Sequence, residues 1–105
     1  MLFILLYFGS YDATVTAYSP ANVDPRWQGQ ARWTGQPPAV GLTAACPVEW
    51  REQWVYVQNY GWRRCDDTPR DGWYGDSPHI DVFLETHEEA INHGVQYLTV
   101  WKARD

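Results

Sequence analysis

The stretch at residues 65–83, Cys-Asp-Asp-Thr-Pro-Arg-Asp-Gly-Trp-Tyr-Gly-Asp-Ser-Pro-His-Ile-Asp-Val-Phe, constrains this chain more than any other. It carries five aspartates, two glycines and two prolines. Gly and Pro punctuate regular structure and Asp favours turns, so the composition excludes a helix and reads mostly as turn-rich loop. Only the end is strand-like. Over residues 79–84, Ile80, Val82 and Leu84 alternate with Asp81 and Phe83, which puts the aliphatic side chains on one face and Asp81 on the other. A carboxylate-rich loop thus runs into an apolar strand that carries an aspartate of its own. Loops held by a rigid scaffold often carry chemistry, although acidic loops are also commonly no more than solvated surface.

The rest of the chain reads as β-structure. Residues 14–18, Thr-Val-Thr-Ala-Tyr, form a β-branched strand candidate closed by Ser19-Pro20. Residues 21–38 hold prolines, glycines, Trp27 and Trp33 without periodicity, the pattern of a long loop. Residues 40–45 are small and apolar, and Cys46-Pro47 interrupts them. Residues 53–58 alternate, with Trp54, Tyr56 and Gln58 on one face and Val55 and Val57 on the other. Asn59-Tyr60-Gly61 is a turn, and residues 62–65 are a short strand. After Leu84 comes one helix, His87–His93. Thr86 is its N-cap and Glu89 completes a capping box. Glu88 and Glu89 suit the positive end of the dipole, and Gly94 suits the stop. Residues 95–101 form the last strand. This spacing predicts an all-β barrel or sandwich with one short helix.

A chain of 105 residues supports one domain. It divides into an apolar N-terminal segment, residues 1–10, and a domain over residues 11–105. The unbroken apolar run at residues 1–8 is too short to cross a bilayer. It is similar to the apolar part of a secretory signal but lacks a basic start and a small-residue cleavage site, so it reads either as a clipped signal or as a buried first strand. Gly9 and Ser10 end the run. No integral membrane span is expected.

The net charge of −5, with no basic run, excludes nucleic acid and anionic membrane surfaces as natural partners. Seven Trp and seven Tyr are more than a small core absorbs, so some must be exposed. Trp27, Trp33, Trp62, Trp73 and Tyr74 are candidate platforms for sugar rings, since an aromatic face is flat and apolar with a polar handle. Trp73 and Tyr74, adjacent and flanked by glycines, are the best exposed pair; core packing is the alternative for each Trp. Cys46 and Cys65 read either as one disulfide, which would suit an oxidising compartment, or as two buried thiols. His79, His87 and His93 show no zinc-type spacing, and His87 and His93 do not share a helix face. No metal and no other cofactor is expected. There is no Ser-His-Asp pattern and no glycine-rich phosphate loop.

The ordered pieces resemble a known family. Thr14-Val-Thr-Ala-Tyr-Ser-Pro is similar to its opening strand, and Gly41-Leu-Thr-Ala-Ala followed by X-Pro to its second block. Asp67-Thr68, Gly75 and Ile80-Asp-Val-Phe resemble its signature, and Glu89-Ala with Gly94-Val-Gln its closing helix and strand. This is the three-aspartate domain of bacterial stationary-phase survival proteins, shared with membrane-bound lytic transglycosylase A. The resemblance covers residues 13–102. It implies a six-stranded double-psi β-barrel that is secreted or held in the cell envelope, and a monomer is expected. It also implies non-hydrolytic cleavage of peptidoglycan glycan strands that leaves 1,6-anhydro-muramyl ends. Asp81 would then be the acid/base and Asp67 its supporting carboxylate, with Trp62, Trp73 and Tyr74 as substrate-binding aromatics. Two departures stand out. The family's Asp-Pro is here Cys46-Pro47, so one of its three aspartates is absent. Its Asp-Thr-Gly-Gly turn is here Asp67-Thr68-Pro69-Arg70, with extra residues before Ile80, and Asp66 and Asp71 are alternative carboxylates.

Glycosidic cleavage needs a proton for the leaving oxygen and stabilisation of an oxocarbenium-like centre. When the muramyl 6-hydroxyl attacks internally, one carboxyl can serve as acid and then base, provided its pKa is raised. Between Ile80 and Val82, desolvation would raise the Asp81 pKa, and Asp67 would raise it further. The alternative is a buried Asp81 that accepts backbone N–H bonds, which would lower it. The competing function is a non-catalytic carbohydrate-binding barrel of the expansin-like or barwin-like kind, and the loss of the third aspartate at Cys46 is the feature that favours it.

Overall fold

The computed structural model describes residues 7–23, 25–27, 29–31 and 33–104. The strands are β1 (Phe8–Tyr18), β2 (Thr43–Ala45), β3 (Trp54–Val57), β4 (Gly61–Asp67), β5 (Trp73–Tyr74), β6 (Ser77–Phe83) and β7 (Gln96–Ala103), with an α-helix, α1 (His87–His93), before β7. Six of them close into a barrel in the order β1-β7-β3-β4-β2-β6, with β6 returning to β1, while β5 forms a hairpin on β6. The pairs β1–β6 and β2–β4 are parallel and the other neighbours antiparallel. Parallel neighbours cannot be joined by a hairpin, so the chain crosses the barrel between them. That is the double-psi connectivity that the resemblance implied.

Alternation fills the barrel. Val55 and Val57 are fully buried while Trp54 and Tyr56 face out. Ala13, Val15, Ile80, Val82 and Val100 complete the interior with Ala44, Trp50 and the two cysteines. Cys46 and Cys65 form a disulfide, with Cα atoms 5.4 Å apart. It ties the end of β2 to β4.

Element limits differ from the sequence expectation in two places. Gly9 and Ser10 do not end an apolar run but continue β1, because residues 8–15 pair with β7 along its whole length. Residues 1–6, where a clipped signal was considered, lie outside the described residues. The stretch at residues 65–83 contains more strand than its composition suggested: it holds the end of β4, all of β5 and all of β6. Gly75, at φ 63°, makes the tight turn between β5 and β6.

The helix lies where the capping signals put it. Thr86 Oγ1 accepts from Glu89 N–H at 3.1 Å. The return contact differs from a capping box, because Glu89 Oε1 accepts from the Thr86 hydroxyl at 3.0 Å. Gly94, at φ 62°, ends the helix. The helix packs on β1 and the turn at Pro20–Asn22, burying Ala90. Among the described residues no helix is long and apolar enough to cross a membrane.

Candidate functional site

The site begins with two small residues. Ala44 and Ala45 of β2 lie between β4 and β6, and between them the parallel pairing with β4 shifts: Ala44 faces Cys65, but Ala45 faces Asp67. Asp66 is the extra residue. A bulge of this kind re-aims the side chains that follow it. Here it sends Asp66 and Asp67 to different environments.

Asp66 is buried against Thr43 Oγ1, which donates to it at 3.3 Å, and Arg64 Nε lies 3.3 Å from its other oxygen. Burial raises its pKa and Arg64 opposes the rise. Asp67 turns into a cleft of about 850 Å³ whose lining also includes Tyr18, Ala45, Thr68, Arg70 and Asp81. Its oxygens accept from the Tyr18 hydroxyl at 3.3 Å and from Thr68 N–H at 2.9 Å. Burial first, and then the Asp67 charge, pushes the Tyr18 phenol far up, so it stays a proton donor.

Asp81 reaches the same cleft from β6. The β1–β6 register sets Thr16 beside it, and Thr16 Oγ1 lies 3.1 Å from Asp81 Oδ1. Burial pushes the Asp81 carboxyl up from 3.8 to about 6; His79 and the Thr16 hydrogen bond pull it down, and Asp67 adds a smaller upward push. Desolvation therefore outweighs hydrogen bonding, the outcome expected of an acid and not of a turn anchor.

Asp66 and Asp71 do not line this cleft. Cys46 is fully buried and disulfide-bonded. Its N–H donates to the Asp67 carbonyl at 3.0 Å. The position thus braces the strand that carries Asp67.

The predicted aromatics lie elsewhere. Trp73 and Tyr74 pair with Pro78 and Ser77 at the start of β6, away from the Asp81 end, and neither lines the cleft. Trp73 packs edge-on to Trp50 and donates to Glu49 Oε2 at 3.2 Å. Tyr74 lies 5.2 Å from the His79 ring. Trp62, five residues before Asp67, is about 16 Å away along β4. It sits on the outer barrel face with Phe8 and Tyr56 as ring neighbours. Trp33 donates from Nε1 to Thr68 Oγ1 at 2.8 Å, bracing the loop beside Asp67. The side chain of Trp27 lies outside the described residues.

Sequence reasoning missed Thr16, Tyr18 and Ala45, and treated His79 only as a possible metal ligand. Period-two alternation does put His79 and Asp81 on one face of β6 and Thr16 and Tyr18 on one face of β1. What it cannot supply is the pairing of β1 with β6. No metal-ligating cluster occurs among the described residues. No protein-family model matches the chain, and a search of curated proteins finds no significant match.

Proposed function

We propose that this chain is a lytic transglycosylase acting on peptidoglycan glycan strands, with Asp81 as acid and base and Asp67 as supporting carboxylate. The observation that carries the reading is the pairing of these two groups in one cleft, with the Asp81 carboxyl pushed up to about 6 by burial. Such a group both gives and takes a proton near neutral pH. Asp81 gives its proton to the oxygen that links muramyl C1 to the next sugar, and the C1–O bond breaks. The Asp67 carboxylate stabilises the positive charge that develops. The muramyl 6-hydroxyl then attacks C1 and returns its proton to Asp81. No water is consumed and the acid is restored. Arg26 and Arg70 also line the cleft and suit the acidic substituents of a muramyl strand. The disulfide fits a secreted or envelope protein.

One observation favours the second reading, a non-catalytic cell-wall binding module. Trp54, Tyr56 and Trp62 are each close to half-exposed on the outside of β3 and β4, away from the carboxylates. Digesting purified murein and analysing the products by mass spectrometry separates the two. Anhydro-muramyl ends that disappear with Asp81→Asn support catalysis. Binding without any such product supports the module.

A further inference from the structure

The polar face of the β1–β6 pair carries a chain of hydrogen bonds that the reaction above leaves unused. His79 Nδ1 lies 2.6 Å from the Asp71 carbonyl oxygen. A carbonyl only accepts, so Nδ1 carries a proton and Nε2 is left facing Thr16. Nε2 lies 2.6 Å from Thr16 Oγ1, and Thr16 Oγ1 lies 3.1 Å from Asp81 Oδ1. One hydroxyl with one proton therefore bridges an imidazole and a carboxyl.

We propose that His79, Thr16 and Asp81 form a proton relay, in which His79 is a positioning residue that holds the proton of Asp81 and returns it through the Thr16 hydroxyl. Two arrangements satisfy every donor. In one, an imidazolium Nε2–H donates to Thr16, and Thr16 donates to the Asp81 carboxylate. In the other, protonated Asp81 donates to Thr16, and Thr16 donates to neutral Nε2. Passing between them breaks the Nε2–H and Thr16 O–H bonds and forms a new O–H bond on Thr16 and one on Asp81. One proton crosses and charge is conserved.

The placement of the two ends supports this. Asp81 opens into the carboxylate cleft, whereas Thr16 also lines a separate groove of about 540 Å³ with Asp12, Tyr74, Ser77 and Tyr97. The relay thus reaches a second surface without passing through the cleft that a glycan would fill. His79 itself is buried. Other titratable groups surround the pair: Asp67 from β4, Tyr18 from β1 and His93 from α1, with Arg26 and Arg70 on the lining of the cleft. On the far side of His79 stand Asp71 and the Tyr74 ring. His79 is joined to Asp81 through the single Thr16 hydroxyl.

The role in catalysis rests on the reading of Asp81 as the acid, but the relay is tested without any substrate. Carboxyl carbon and imidazole nitrogen resonances of the full chain are followed by NMR against pH in wild type, Thr16→Val, Thr16→Ser and Asp81→Asn. In wild type the His79 Nε2 resonance should show a step at the Asp81 midpoint, and Asp81→Asn should remove it. Thr16→Val should abolish the step and raise the Asp81 midpoint by about one pH unit, since the carboxylate loses a donor. Thr16→Ser should restore both. A wild-type Nε2 resonance with no step at the Asp81 midpoint overturns the relay, even if Thr16→Val fails to fold. So does a folded Thr16→Val with unchanged titration. If the relay titrates as described and wild type leaves murein intact, the functional reading fails and the relay stands.

Discussion

Asp67 and Asp81 share a single register partner: both lie opposite Ala45, one on each strand beside β2. Two strand spacings put their Cα atoms about 10 Å apart, with a methyl group between them as the floor of the cleft. Nothing larger would leave that floor open. Ala45 is 3% exposed and packs with Tyr18 and Phe83. Ala45→Val should therefore cost about 1–3 kcal/mol by overpacking and weaken glycan binding as well. Urea denaturation and a murein pull-down check the two effects, and a variant with wild-type values in both would count against this account of the floor.

The raised pKa of Asp81 makes stability depend on pH with a definite sign. The folded value, about 6, lies above the ordinary 3.8. The stabilisation from keeping Asp81 protonated is thus fully present below about 4 and lost as pH rises through 6. Asp81→Asn has no such proton to lose. Relative to wild type the variant should gain about 1–2 kcal/mol between pH 4.5 and pH 7.5. Urea midpoints of both proteins at the two pH values measure the difference. Parallel pH profiles would remove the case for a desolvated acid.

The Cys46–Cys65 disulfide closes a loop of 19 residues and abuts the backbone of Asp67. A closed loop of this length stabilises a domain by about 3 kcal/mol. The double variant Cys46→Ala/Cys65→Ala should lose that amount. It should also lose murein binding more steeply than Thr86→Ala, whose loss of the helix cap costs about 1 kcal/mol without touching the disulfide. Equal binding in the two variants, once both are shown to be folded, would mean that the disulfide does not brace the site.

The legibility of these features in the sequence follows from how local each one is. The α1 cap, the Val55 and Val57 face and the Ile80 and Val82 face are set within a few residues, and alternation or capping chemistry reveals them. The identity of the cleft carboxylate is not local. Asp66 and Asp67 are adjacent and chemically identical, and a bulge against Ala44 and Ala45 decides between them. The aromatics misled for a related reason. Glycines around Trp73 and Tyr74 marked a turn, but the turn belongs to the β5–β6 hairpin and not to the Asp81 end of β6. His79 carried no metal-ligand spacing, and its neighbour Thr16 lies 63 residues away on β1.

The two cleft carboxylates should differ in what their loss does. Asp81 is the desolvated group, and its amide keeps the shape while lacking a transferable proton. Asp81→Asn should reduce anhydro-muramyl release by about 10²–10⁴, the usual contribution of a general acid, and leave murein affinity within a few-fold. Asp67 has a different task. Its oxygens already accept from Tyr18 and Thr68, so in the proposed reaction it supports the developing charge and does not deliver the proton. Asp67→Asn should slow release less, and it should lower the Asp81 pKa slightly, because the charge that helps to raise it is gone. The alkaline limb of the rate profile, where Asp81 loses the proton it must give, should then move down in pH. Product release followed against pH in both variants decides the assignment: an active Asp81→Asn enzyme, or an Asp67→Asn enzyme as impaired as Asp81→Asn, would reverse the two roles.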